Sequence, residues 1–114
     1  MKKGTVILTK FPFTDLKAVK RRPAIVVSKT SNTKNDVIVA FVSTVISEKL
    51  ADTDLLLDYK HKDFIRSGLK KTSIIKLDKL ATLNTSIFTG ELGTLSETSI
   101  EEINIKLKKA LDID

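Results

Sequence analysis

Lys17-Ala18-Val19-Lys20-Arg21-Arg22-Pro23-Ala24-Ile25-Val26-Val27-Ser28 sets three consecutive cations against a proline and then turns apolar. Proline has no N–H and holds the residue before it in an extended conformation. The run Ala24–Val27 that follows predicts a buried strand, because β-branched residues suit the pleat and no charge interrupts them. Arg22 therefore stands at the mouth of a rigid core strand. A guanidinium held in that way suits a phosphate or a carboxylate, since its planar fork donates two parallel hydrogen bonds. The same residues also read as a solvated loop whose cations keep a sheet edge soluble.

Charge along the chain sharpens the choice. Residues 1–36 carry nine Lys/Arg against Asp15 and Asp36, a net of +7. Residues 37–114 carry eleven Lys/Arg against twelve Asp/Glu, a net of −1. The whole excess of the +6 chain thus surrounds the opening stretch, as a polyanionic partner such as nucleic acid or an acidic protein segment requires. The 114 residues suffice for one domain, 1–114, with one core. A hydrophobic content of 41% with 30% charged residues is ordinary for a folded protein and argues against disorder. Cysteine is absent, which excludes disulfides and thiolate metal sites. No apolar run approaches the ~18 residues of a membrane span, and Met1–Lys10 is charged again too soon for a signal peptide. A cytoplasmic protein without membrane association is the expectation.

Outward from the opening stretch, Thr5–Thr9 predicts a strand entered through Gly4 and broken at Phe11-Pro12-Phe13-Thr14-Asp15. The two phenylalanines read as core at a strand end, or as rings offered to a base. Downstream, the polar connection Thr30–Asp36 leads into Val37–Val42, apolar on both faces and so central in its sheet, with Ser43-Thr44 as the first hydroxyls after it. Asp54–Tyr59 reads as another strand, and His61–Gly68 as one helical turn closed by its glycine. His61, in that polar turn, reads as solvated. Ser73–Leu77 and Leu80–Leu83 predict two short strands, and Gly90 and Gly93 predict a last strand with tight turns at both ends. Short strands at this spacing suggest a small, strongly curved barrel. The end of the chain changes period. Thr98-x-x-Glu101 and Ser99-x-x-Glu102 form capping boxes, and Ile100, Ile103, Leu107, Ala110 and Leu111 share one helical face.

Several chemistries are excluded. One histidine cannot form a two-imidazole acid–base pair. Asp52-Thr53-Asp54 has no further acid or histidine at metal-binding spacing, no glycine-rich loop opens a helix, and no Gly-x-Ser-x-Gly elbow is present. What remains is a fixed arginine, its cationic neighbours, and two hydroxyls at the end of the next central strand.

That remainder has a recognisable order. Gly4-x-Val6-Ile7-Leu8, Phe11-Pro12-Phe13 and Arg22-Pro23-Ala24-Ile25-Val26-Val27-Ser28 resemble the opening of the MazF/PemK (CcdB-like) toxin family. Val37–Thr44, Gly68–Ile75, Lys79-x-x-Thr82-Leu83 and Gly90-x-Leu92-Gly93-x-Leu95-Ser96 are similar to its later blocks, so the resemblance spans nearly the whole chain in order. It implies a mainly β fold, an SH3-like curved β-barrel with a C-terminal helix, acting as a homodimer. In the ribonuclease branch it implies metal-free cleavage of single-stranded RNA, with no cofactor, under control of a cognate antitoxin that brings an acidic, partly disordered segment.

The family's arginine before proline falls on Arg22 and its strand-end threonine on Ser43, with Thr44 beside it. These are the candidate catalytic residues, Arg22 to stabilise charge and Ser43 to hydrogen-bond a phosphoryl oxygen. Lys17, Lys20, Arg21, Thr44 and Lys79 are the candidate RNA contacts, and no metal ligand is expected. The alternative is a non-catalytic toxin on the same fold that jams a protein partner such as DNA gyrase, or a degenerate member that only binds RNA or antitoxin. Gyrase poisons act through the C-terminal end and do not need the arginine and hydroxyl pair.

Overall fold

The computed structural model describes residues 1–10, 21–31, 34–46 and 48–114. The expected break at Phe11–Asp15 and the candidate RNA contacts Lys17 and Lys20 lie outside the described residues. The elements are β1 (Thr5–Lys10), β2 (Arg21–Val26), β3 (Asp36–Ser43), β4 (Asp54–Leu57), α1 (Phe64–Ser67), β5 (Ser73–Asn84), a 3₁₀ turn (Thr85–Ile87), β6 (Phe88–Thr94) and α2 (Glu97–Ala110). Among the described residues the six strands form one antiparallel sheet in the order β4-β5-β3-β2-β1-β6. The mainly β fold with a C-terminal helix is as expected. The sheet stays open, with β4 and β6 as its edges, and β3 is central as its two apolar faces require.

Alternation along the strands builds a core on each face of the sheet. Ile25 and Val27 of the second strand region, with Ala40, Val42, Leu55, Leu57, Ile75 and Leu77, pack under Leu95 and Ile103 of the C-terminal segment. Ala24 and Val26 point the other way and join Ile7, Val37, Val39 and Leu83. The buried aliphatic side chains contribute ~1.5–3 kcal/mol each by leaving water.

Several expectations need revision. The strand carrying the cations begins at Arg21 rather than Ala24, so Arg21, Arg22 and Pro23 are themselves strand residues, opposite Lys10, Thr9 and Leu8 of β1. Ser73–Leu77 and Leu80–Leu83 are one long strand, whose polar Asp78-Lys79 imitates a turn because the ladder slips there. Gly90 and Gly93 lie inside β6 rather than at turns. At Gly93 a Cβ would stand 1.9 Å from the Arg66 carbonyl oxygen, so glycine is there to let α1 lie on the strand. The last helix is capped by Ser96, whose hydroxyl accepts the Ser99 N–H, two residues before the expected Thr98 cap.

A polar staple joins the two helices. Asp63, the residue before α1, is 1% exposed. Its Oδ2 accepts from Ser96 N–H at 2.9 Å, Ser96 Oγ at 2.7 Å and Ser99 Oγ at 2.5 Å. Burial by itself would raise the carboxyl's pKa. The hydroxyls of Ser99 and Ser96, the Ser96 N–H and the neighbouring His61 outweigh it and lower the pKa from 3.8 to about 2. His61, expected in solvent, is half-buried, and its Nδ1 accepts the Asp63 N–H at 3.0 Å. Asp58 ends β4 instead of continuing it, because its Oδ1 accepts from the N–H groups of Lys60 and His61 in a tight turn.

Candidate active site

Proline shapes the site. The ladder between β2 and β3 pairs Val26 with Val39, Ile25 with Ala40 and Ala24 with Phe41, and its pairing ends there, one residue short of Pro23. Pro23 has no N–H to donate. β3 stays paired with β5 through Val42–Ile75 and Ser43–Ile74, so β2 and β3 part company while β3 and β5 do not. A pocket of about 490 Å³ opens at this fork, lined by residues of β2, β3 and β5. Arg22, Ser43, Thr44, Lys76 and Lys79 supply its polar wall, and Pro23, Phe41 and Ile74 are among its apolar residues.

Alternation decides which side chains share a face. Arg22 has the parity of Ala24 and Val26, and Ser43 has the parity of Val37 and Val39; all four of those apolar residues belong to one core cluster. The β2–β3 pairing ends at Ala24–Phe41, and Arg22 and Ser43 lie two residues beyond it on their strands, both in the lining of the pocket. Thr44 is the first residue past β3 and lines the pocket with Arg22 and Ser43. It lies at the saddle between this pocket and an apolar one of about 300 Å³, to whose lining it also contributes. The Ser43 oxygen is held in place by Val45, whose N–H donates to it at 3.1 Å, and among the described residues its own O–H is left to donate.

A slip in β5 brings two lysines to one wall. Phe41 pairs with Lys76 but the next residue of β3, Ala40, pairs with Leu80. Leu77, Asp78 and Lys79 fall within this irregularity, and the Leu77 N–H bonds to the Thr53 carbonyl instead of β3. In a regular strand residues three apart point to opposite faces. The bulge cancels that, so Lys76 and Lys79 both line the pocket, which is how bulges re-aim side chains near sites. Lys79 is exposed, as are Arg21, Arg22 and Thr44, whereas Ser43 and Lys76 are half-buried.

The candidate residues Arg22, Ser43, Thr44 and Lys79 are thus brought together. Arg21 is not in the lining; it sits opposite Lys10 across the β1–β2 ladder, a like-charge pair. Lys76 escaped the sequence reading. It forms an ion pair of 2.9 Å with Asp54, the residue directly opposite on β4. Burial by itself would raise the Asp54 pKa. The hydrogen bonds from Lys76 and from the Ala51 N–H, with the charges of Lys76 and Lys106, more than offset it, so the carboxyl lies below its ordinary 3.8. The available signal was a cation inside the apolar run Ile74-Ile75-Lys76-Leu77 and an acid opening Asp54–Leu57. Among the described residues, no group of three or more His, Cys, Asp or Glu assembles a metal site, and no helix is long and apolar enough to cross a membrane.

Residues 2–111 match the family model of the PemK-like, MazF-like toxin of type II toxin-antitoxin systems. The chain belongs to that family. No curated protein sequence matches it significantly. Among solved structures, the Mycobacterium tuberculosis toxin MazF-mt6 superposes with a TM-score of 0.74 at 17% identity, over 96% of this chain and 98% of that one. MazF from Deinococcus radiodurans gives a TM-score of 0.74 at 18% identity, over 99% and 97%. A mycobacterial endoribonuclease, solved in complex with its cognate antitoxin, gives 0.72 at 21% identity, over 100% and 97%. At these identities the superpositions establish a MazF-like fold, and the family model establishes membership.

Proposed function

We propose that this PemK/MazF-like chain is the toxin of a type II toxin-antitoxin system and an endoribonuclease that cuts single-stranded RNA without a metal. The observation that supports the reading is the pocket where the β2–β3 pairing ends, which has Arg22, Ser43 and Lys79 in its lining. Metal-free cleavage uses the RNA's own 2′-hydroxyl. Its oxygen attacks the adjacent phosphorus, the bond to the 5′-oxygen of the next nucleotide breaks, and a 2′,3′-cyclic phosphate and a 5′-hydroxyl remain. The enzyme must hold the phosphate in line and neutralise the charge that builds on its non-bridging oxygens. A guanidinium does not deprotonate in proteins, so Arg22 acts through charge and its two-pronged fork. One such preorganised donor is worth ~3–4 kcal/mol of barrier. The Ser43 O–H donates to a phosphoryl oxygen from the same face. Lys79, with Arg21, tracks the backbone and supplies affinity rather than sequence choice.

The reading includes a homodimer in the cytoplasm, with the RNA groove completed between protomers, since this small sheet is too short to wrap a polynucleotide by itself. The cognate antitoxin brings an acidic, partly disordered segment into the same basic groove, an association that weakens steeply with salt. The test is incubation of a long single-stranded RNA with the purified protein in excess chelator, followed by mapping of the ends. Cyclic phosphate and 5′-hydroxyl ends are expected. Activity that vanishes in chelator and returns with magnesium overturns the mechanism, and no cleavage under any condition favours the non-catalytic alternative.

A further inference from the structure

Lys76 is a cation of the pocket that the mechanism above leaves without a task. Its ammonium lies 2.9 Å from Asp54 Oδ1, and the two side chains are 23% and 2% exposed. The carboxylate is therefore the buried member, and Lys76 is the partly exposed one, in the lining of the pocket. Asp54 is anchored from behind, its Oδ2 accepting the Ala51 N–H at 3.0 Å. Its buried Oδ1 is met by the Lys76 ammonium, and the charge of Lys106 also favours the ionised carboxyl. An ammonium carries three donors, and a single carboxylate oxygen engages one, which leaves donors for a second acceptor on the pocket side.

The placement is also suited to a shared ligand. Lys76 pairs with Phe41, Phe41 pairs with Ala24, and paired residues share a face, so Lys76 is on the Arg22 and Ser43 side of the sheet. Arg22 and Lys76 come from the strands on either side of β3. A buried ion pair is a weak device for stability, because an apolar pair of similar volume commonly does as well. The neighbouring positions of these two strands, Leu55, Leu57, Ile74 and Ile75, are indeed apolar and buried.

We propose that Lys76 is a second phosphate-binding cation of this pocket and that Asp54 is the buried carboxylate that positions it. The proposal deepens the reading of the pocket as an RNA site and rests on it. Arg22 grips the phosphate from β2, and Lys76, held upright by Asp54, meets it from β5. Asp54 is a positioning residue and touches no substrate.

The experiment uses the full chain with two readouts. One is the salt dependence of affinity for a single-stranded deoxyoligonucleotide of about ten nucleotides, which lacks the 2′-hydroxyl. The other is single-turnover cleavage of the matching RNA. The double variant Asp54→Asn/Lys76→Met removes both charges at nearly constant volume and so keeps the fold. It is expected to make the log–log salt slope shallower by about 0.7, the value for one lost phosphate contact on a single strand. It is also expected to cut RNA about tenfold or more slowly. Asp54→Asn by itself is expected to keep the slope and the protein concentration giving half-maximal rate while the maximal single-turnover rate, kcat for the chemical step, falls by about the same factor, because the cation is present but no longer placed. If that variant does not fold, Asp54→Glu, which displaces the charge by one methylene, carries the same expectation. A double variant with the wild-type slope overturns the phosphate contact, and Asp54→Asn or Asp54→Glu with the wild-type kcat overturns the positioning role. If the wild type cuts no RNA, the nuclease reading fails, while the oligonucleotide slope still decides whether Lys76 meets a phosphate.

Discussion

Asp63 and Asp54 are both buried acids with lowered pKa values, yet they are compensated in opposite ways. Asp63 is met by the hydroxyls of Ser96 and Ser99 and one backbone N–H, all neutral donors from the capping turn of the last helix. Asp54 is met by Lys76, a partly exposed cation in the lining of the pocket. The first arrangement is closed, since three donors from the fold itself converge on Oδ2 of a carboxylate that is 1% exposed. The second is open, because the compensating charge remains accessible to a ligand. A buried acid satisfied by neutral donors marks architecture, and one satisfied by a half-exposed cation at a pocket wall marks a place where the protein holds a charge ready.

The contrast can be broken most severely at the open end. Arg22→Ala is expected to slow RNA cleavage about 100- to 1000-fold, the range for losing one oxyanion-type donor. Arg22→Lys should fare nearly as badly, since lysine keeps the charge and loses the fork. A lysine variant that retains most of the wild-type rate would show Arg22 to be a point charge only. At the closed end the effect belongs to stability. Asp63→Asn should cost about 2 kcal/mol, seen as a lower urea midpoint at unchanged slope, with the cleavage rate per folded molecule as in wild type.

Acid should separate the two ends by the same logic. The Asp63 carboxyl sits at about 2 in the folded chain against 3.8 unfolded. A depressed pKa stabilises the fold above the unfolded value, and the benefit is lost as pH falls from 3.8 toward 2. The difference amounts to about 2 kcal/mol. Wild type should lose that stability across the window while Asp63→Asn, lacking the group, shows a flatter profile; parallel profiles would refute the staple. The smallest effect is expected at the exposed rim. Lys79→Ala should weaken RNA binding only a few-fold and make the salt slope shallower by about 0.7, with kcat unchanged.

Much of this arrangement could be read from the residues. Arg22-Pro23 followed by Ala24–Val27 announced the core strand, and the apolar run before Ser43 announced the central one. The order of these blocks pointed to the family. Local pattern failed where tertiary contacts overrode it. Asp78-Lys79 has turn composition, but β3 and β4 hold Ser73–Asn84 in a single bulged strand. Gly93 has the look of a turn residue, yet its small size serves the close approach of the Arg66 carbonyl. The Asp54–Lys76 pair depends on the register of two strands separated by a helix, and nothing local encodes that register.

The central claim is that Arg22 and Ser43 act together in this pocket, with Ser43 rather than Thr44 as the working hydroxyl. Measuring single-turnover cleavage of one RNA by folded Ser43→Ala and Thr44→Ala, side by side in chelator, tests it most directly. The account predicts that Ser43→Ala loses most of the activity, that Thr44→Ala stays within a few-fold of wild type, and that Ser43→Thr remains active. An inactive Thr44→Ala beside an active Ser43→Ala would contradict it.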